Sequence, residues 1–72
     1  MYYYQRIKDT REDKDIKQGE IAEKLGIKQT QYSRYERGIN EIPLHYLIQV
    51  AEILEVSIDY LVGRTNNPKV NN

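Results

Sequence analysis

Residues 18–38 read QGEIAEKLGIKQTQYSRYERG, and the parsing of this stretch decides how the rest of the chain is organised. A helix from about Gln18 to Leu25 stops at Gly26, a residue that tolerates the left-handed backbone a helix end often needs. A further helix begins near Gln29 and stops at Gly38. Ala22 falls where the two helices must approach closely, Gly26 follows four residues later in the turn, and Tyr32 and Tyr35 anchor the second helix at i, i+3 spacing. A bulky side chain at 22 would push the helices apart. A β-carbon at 26 would strain a turn that calls for positive φ.

Outward from this hairpin, helical period continues, with Gly and Pro at the boundaries and no sustained alternation of period two. Tyr3, Ile7, Thr10 and Arg11 share one face of a first helix over about Tyr2 to Lys14. Pro43 suits the first position of a fourth helix, whose Leu44, Leu47, Ile48, Ala51 and Leu54 are expected to point inward. A fifth, of little more than a turn, has Ser57 as cap, Asp59 at its positive dipole end and Gly63 closing it. The expected fold is therefore all-α, a compact five-helix bundle over residues 1–64. Residues 65–72, TNNPKVNN, hold one apolar side chain, Val70, and are expected to form a flexible polar tail.

Composition excludes several functions. A 72-residue chain is one domain at most, burying only about 60% of its unfolded surface, which leaves little room for a deep catalytic cleft. With no Cys and a single histidine, His45, expected to be exposed on the fourth helix, neither thiolate chemistry nor a metal site is foreseen. No activated nucleophile, oriented base or phosphate-cradling loop is evident, so an enzyme is not expected, nor is any cofactor. The start, MYYYQRIKDT, is charged and lacks the apolar run of a signal peptide or membrane span, which favours a cytoplasmic protein with no membrane partner. A formal net charge of zero argues against a nucleic-acid partner, but the charge is unevenly spread. Residues 1–38 hold nine Lys/Arg against seven Asp/Glu, and residues 39–72 two against four.

Two short helices joined by a tight turn form the layout with which many proteins read DNA, though inert helical hairpins share it. The ordered series from Gln18 to Gly38 resembles the core motif of the Cro/phage-repressor (XRE) family. The resemblance continues through Ile42-Pro-Leu44 and Val56-Ser-Ile-Asp-Tyr-Leu-Val-Gly63, covering roughly residues 3–65. It implies a helix-turn-helix built by helices two and three, and a sequence-specific double-stranded-DNA-binding transcriptional regulator. Such a regulator would act as a repressor on a palindromic operator through the major groove, as a homodimer at least on DNA, with a protein regulator as a further candidate partner.

If Tyr32 and Tyr35 face the core, then Thr30, Arg34 and Arg37 point the opposite way at about 100° per residue, with Ser33 beside them and Gln29 at the exposed end. The resemblance makes Gln29, Thr30 and Arg34 the base contacts. Their chemistry agrees: Gln matches adenine N6/N7, Arg matches guanine O6/N7, and the Thr methyl can touch a thymine methyl. Gln18 matches a family phosphate contact, and Lys17, Lys28, Ser33, Arg37 and Asn40 complete the expected phosphate-contacting set. Lys17 and Lys28 stand where the family usually places Ser or Thr caps; either phosphate attraction or drift at a tolerant surface accounts for them. Arg11 and Glu36 resemble a family pair joining the first and third helices, a structural salt bridge. Since family members often dimerise through the last two helices, Ile42, Tyr46, Ile58 and Tyr60 are the candidate dimer contacts, against a reading in which Tyr60 is core and Tyr46 half-exposed.

Seven tyrosines without Phe or Trp suggest base stacking, but Tyr32 and Tyr35 are expected in the core, Tyr3 keeps phase with Ile7, and nothing arranges the others as a platform. The competing function is an antitoxin-like or anti-repressor interaction module that keeps the fold without reading an operator. Neutral net charge allows it; the outward Gln29, Thr30 and Arg34 disfavour it.

Overall fold

The computed structural model describes residues 3–69, which form five helices and no strand: α1 Tyr3–Asp13, α2 Gln18–Leu25, α3 Gln29–Glu36, α4 Leu44–Leu54 and α5 Ile58–Leu61. Tyr2, at the expected start of the first helix, and Val70 lie outside the described residues. The α2–α3 corner has the expected chemistry. Gly26 adopts φ 74°, and the amides of Gly26 and Ile27 donate to the carbonyls of Glu23 and Ala22, satisfying the end of α2. Helix α3 ends two residues before Gly38, with Arg37 as its cap. Ser57 caps α5, its Oγ accepting from the Tyr60 amide at 3.0 Å.

Ile7 of α1, Ile21, Ala22 and Leu25 of α2, Tyr32 and Tyr35 of α3, and Leu47, Val50, Ala51 and Leu54 of α4 converge on one core, closed by Ile42, Val56 and Leu61. Here the inward set of α4 differs from expectation. Leu44 is 65% exposed and Ile48 38%, whereas Val50 is fully buried. At about 100° per residue, Leu44 and Ile48 lie roughly 60° and 100° to one side of Leu47, while Val50 lies roughly 60° to the other. Periodicity defines an apolar arc, and the packing of α2 and α5 covers only one flank of it. Pro43 also shifts by one position: it is the extended residue before the helix (φ −61°, ψ 149°) rather than its first member. The opposite end of α4 closes on Glu55 at φ 59°, a left-handed conformation more usual for Gly or Asn.

Two polar features sit inside this core. The Arg11 guanidinium grips the Glu36 carboxylate through both oxygens, Nε to Oε2 at 2.7 Å and Nη2 to Oε1 at 3.1 Å, and donates from Nη1 to the Ile16 carbonyl at 2.7 Å. Both residues are buried. Next to them the Tyr32 hydroxyl, on a fully buried ring, makes no hydrogen bond among the described residues. Burial, reinforced by the Glu36 carboxylate and opposed by Arg11, holds this phenol protonated well above the ordinary tyrosine range.

Residues 65–69, expected to be a loose tail, run back along the body. The Pro68 carbonyl accepts from the Ser57 amide at 3.0 Å, and Asn66 Oδ1 accepts from Arg6 Nη2 at 3.2 Å. The anchors are polar, so hydropathy carried no sign of them. Together with Ile48, Ala51, Val56 and Ile58, this segment lines an open groove at the α4–α5 corner. Among the described residues, no helix is long and apolar enough to cross a membrane.

Removing Glu36 strands a buried guanidinium, so Glu36→Ala is expected to lower stability by about 3 to 5 kcal/mol in urea unfolding, with much of the loss recovered in an Arg11→Met, Glu36→Leu double variant. Tyr32 has the opposite sign. Tyr32→Phe deletes an unpaired buried hydroxyl and is expected to raise stability by about 1 kcal/mol at neutral pH. In the unfolded chain Tyr32 ionises near pH 10.0, but in the folded protein it ionises only at higher pH. From about pH 10 upward the unfolded state therefore releases a proton that the folded state keeps, and stability falls by about 1.4 kcal/mol per pH unit on this residue's account. Alkaline unfolding curves of Tyr32→Phe should lack that contribution.

Candidate nucleic-acid interface

Helix α3 has two faces of opposite character. Tyr32, Tyr35 and Glu36 are buried against the rest of the domain, and Gln29, Thr30, Gln31, Arg34 and Arg37 are exposed, with Ser33 half-buried between the two sets. The three expected base-contacting side chains, Gln29, Thr30 and Arg34, are thus all solvent-exposed on α3. Gln31, which sequence reasoning passed over, lies among them but spends its amide on the Tyr35 hydroxyl at 3.0 Å. That bond is an i, i+4 pair, legible once Tyr35 is placed in the core.

Around this surface the expected phosphate contacts divide into groups. Gln18, Ser33 and Arg37 line one shallow groove, to which α1 adds Tyr4 and Lys8. Lys8 is a cation the sequence analysis missed, because only the packing of α1 against α3 brings it to the hairpin. Gln18 is already partly committed: its Nε2 donates to Glu36 Oε1 at 2.9 Å, which leaves one amide hydrogen and the amide oxygen for another partner. Lys17 and Lys28 stand immediately before α2 and α3, both extended (φ −84°, ψ 152° and φ −75°, ψ 147°). Asn40 is exposed in the loop beyond α3, its amide reaching the Arg34 carbonyl at 3.4 Å.

Neither lysine caps its helix, since an ammonium group has no lone pair to offer a backbone N–H. At α2 the Glu20 carboxylate accepts from the Lys17 amide at 3.4 Å, half of a reciprocal capping arrangement whose other half lysine cannot supply. At α3 no such relief exists. The first-turn N–H groups of α3 and the Lys28 charge therefore face outward together, an electropositive end suited to an anion.

Electrostatics sharpens the picture beyond the neutral total. Arg11–Glu36 is the one ion pair among the described residues, so the acid that belongs to α3 is neutralised from behind. Lys8, Lys17, Lys28, Arg34 and Arg37 have no carboxylate partner among the described residues. The exposed face of the hairpin is cationic although the chain is not.

The candidate dimer residues fare differently. Ile42 is only 6% exposed and belongs to the core, so it has no surface to offer a second subunit; that assignment is corrected. Its position before Pro43 gave no sign of direction, and the loop turns it inward. Ile58 and Tyr60 are half-buried against the core, and the Tyr60 ring also carries the Arg6 guanidinium 4.6 Å from its centre. Tyr46 is half-buried, lying 6.3 Å from the Tyr35 ring and 4.1 Å from the exposed His45. Among the described residues, the exposed large apolar side chains are instead Ile39, Leu44 and Ile48.

The profile of the Helix-turn-helix family matches residues 7–61. An uncharacterized HTH-type transcriptional regulator of Bacillus subtilis (strain 168), YobD, is 35% identical over 66 residues, 92% of this chain and 59% of its own length. A second from the same organism, YqaE, is 38% identical over 68 residues, 94% of this chain and 59% of its own. The cryptic phage CTXphi transcriptional repressor RstR of Vibrio cholerae is 35% identical over 60 residues, 83% of this chain and 54% of its own. The chain thus spans little more than half the length of these relatives. No solved structure matches it significantly.

The cap positions supply a direct test. Lys28→Ser gives α3 an acceptor for its first turn and is expected to stabilise the domain by about 1 kcal/mol, a rise in melting temperature of roughly 4–8 °C by circular dichroism.

Proposed function

Because the chain belongs to the Helix-turn-helix family of the Cro/XRE type, we propose that it is a DNA-binding transcriptional regulator that lays α3 in the major groove of a specific operator. The observation that carries this reading is the split of α3: one side bolted into the core by Tyr32, Tyr35 and Glu36, the other exposing Gln29, Thr30 and Arg34, with Arg34 in no ion pair among the described residues. A rigid helix with a polar, cationic outer face fulfils the two requirements of direct readout, a fixed platform and side chains able to pair with base edges.

In this mechanism Gln29 pairs with an adenine, Arg34 with a guanine, and the Thr30 methyl contacts a thymine. Lys17, Lys28, Arg37, Ser33, Asn40 and the remaining amide hydrogen of Gln18 hold the phosphates on either side, fixing register without reading sequence. Two copies related by a two-fold axis would place their α3 helices in successive major grooves, roughly 34 Å apart, on a palindromic site. Leu44 and Ile48, exposed along one flank of α4, replace Ile42 as the apolar contribution to that contact. Occupancy of the operator then represses by excluding polymerase, and no enzymatic step is involved.

Selection of bound sequences from a random duplex library, followed by titration of the winner against scrambled DNA at two salt concentrations, tests the reading. A palindrome bound with strong discrimination is the expected result. No enrichment, with only weak salt-labile binding, would overturn it in favour of a protein-interaction module. On the selected operator, Arg34→Ala is expected to cost roughly 1 to 3 kcal/mol and to relax preference at one base position, whereas Lys28→Ala should weaken specific and scrambled DNA alike and reduce the salt slope by about one.

A further inference from the structure

We infer that Gly19, on α2, is a specificity-determining residue for DNA recognition: the space left by its missing side chain seats the amide of Gln29 and so sets the base edge that Gln29 reads. The inference rests on the reading of α3 as the DNA-recognition helix.

A β-carbon at position 19 would lie 3.3 Å from Gln29 Oε1 and 3.9 Å from its Cδ, and would meet no other side chain outside its chain neighbours. The first of these is closer than ordinary van der Waals contact, so the Gln29 amide would have to move by a few tenths of an ångström. The first turn of α2 is poorly placed to yield instead. Gln18, immediately before the glycine, is tied to α3 by its 2.9 Å bond to Glu36, and Ile21 and Ala22, just after it, are buried in the core. The free end of the Gln29 side chain is the softer partner and is the one that moves.

Gln29 is the first residue of α3, exposed, with an amide that bonds none of the described residues. Two-point pairing with adenine needs both amide atoms held to within about half an ångström and 10–20°. A displacement of a few tenths of an ångström, too small to affect folding, uses up much of that tolerance. Local conformation gives Gly19 no other reason to be glycine: its backbone is helical with no positive φ, and alanine is the better helix former.

The experiment compares the parent with Gly19→Ala, Gln29→Ala and the double variant, by library selection, by affinity for the selected and scrambled duplexes, and by thermal melting. Gly19→Ala is expected to melt at or above the parent temperature and to bind scrambled DNA equally well. At one base pair of each half-site its preference should fall about tenfold. In the Gln29→Ala background the same substitution should change that preference less than twofold. Retention of the parent's preferences by Gly19→Ala would overturn the inference, as would equal weakening on both duplexes or a shift that persists without Gln29. A parent that enriches no sequence would instead overturn the recognition reading, and this inference with it.

Discussion

The Glu36 carboxylate is the point on which the recognition half of the domain turns. It receives two bonds from Arg11 of α1 and one from Gln18 of α2, while Arg11 also holds the Ile16 carbonyl in the connection between those helices. Three helices and one turn are therefore oriented around a single buried charge of α3. A hydrophobic contact tolerates sliding and rotation; a two-point guanidinium–carboxylate pair does not. The apolar core supplies the driving force for collapse, and the pair fixes the rotation of α3 about its own axis. Which residues of α3 face solvent depends on that angle.

The same pair reconciles a neutral chain with a cationic surface. Glu36 belongs to the recognition helix, and left unpaired it would oppose any approach to phosphate. Arg11 neutralises it from the interior, and Arg34, Arg37, Lys28, Lys17 and Lys8 make no ion pair with any carboxylate among the described residues. Net charge sums over both faces of the molecule, whereas a polyanion meets only one.

Local stability is given up where the domain faces its proposed ligand. Lysine before both α2 and α3 leaves first-turn N–H groups without side-chain acceptors, against the usual preference for Ser, Thr, Asp or Asn. Far from that surface the rules are kept at α5, where Ser57 caps in the ordinary way. Helix α4 also starts without a side-chain acceptor, at Pro43, so what sets the recognition side apart is the positive charge at both helix starts. Glu55, left-handed at the end of α4, departs as well, and nothing in the structure explains its choice over glycine.

The sequence by itself determined the elements of the hairpin and their outward faces. Gly26 marks the end of α2, Tyr32 and Tyr35 mark the inner side of α3, and a rotation of about 100° per residue then places Thr30 and Arg34 outside. These features are local: a turn, a cap and a helical phase are set by residues within a few positions of one another. The Arg11–Glu36 pair was legible as well, but through resemblance, since no local pattern joins residues 25 positions apart. Tertiary structure alone decided the rest. It turned Ile42 and Val50 inward and left Leu44 and Ile48 out, laid Asn66 and Pro68 against Arg6 and Ser57, carried Lys8 to the edge of the hairpin, and set Gly19 beneath Gln29. An apolar arc on a helix states how much surface must be covered. Which part is covered, and by what, depends on where other helices arrive in space, and that is a property of the assembled chain.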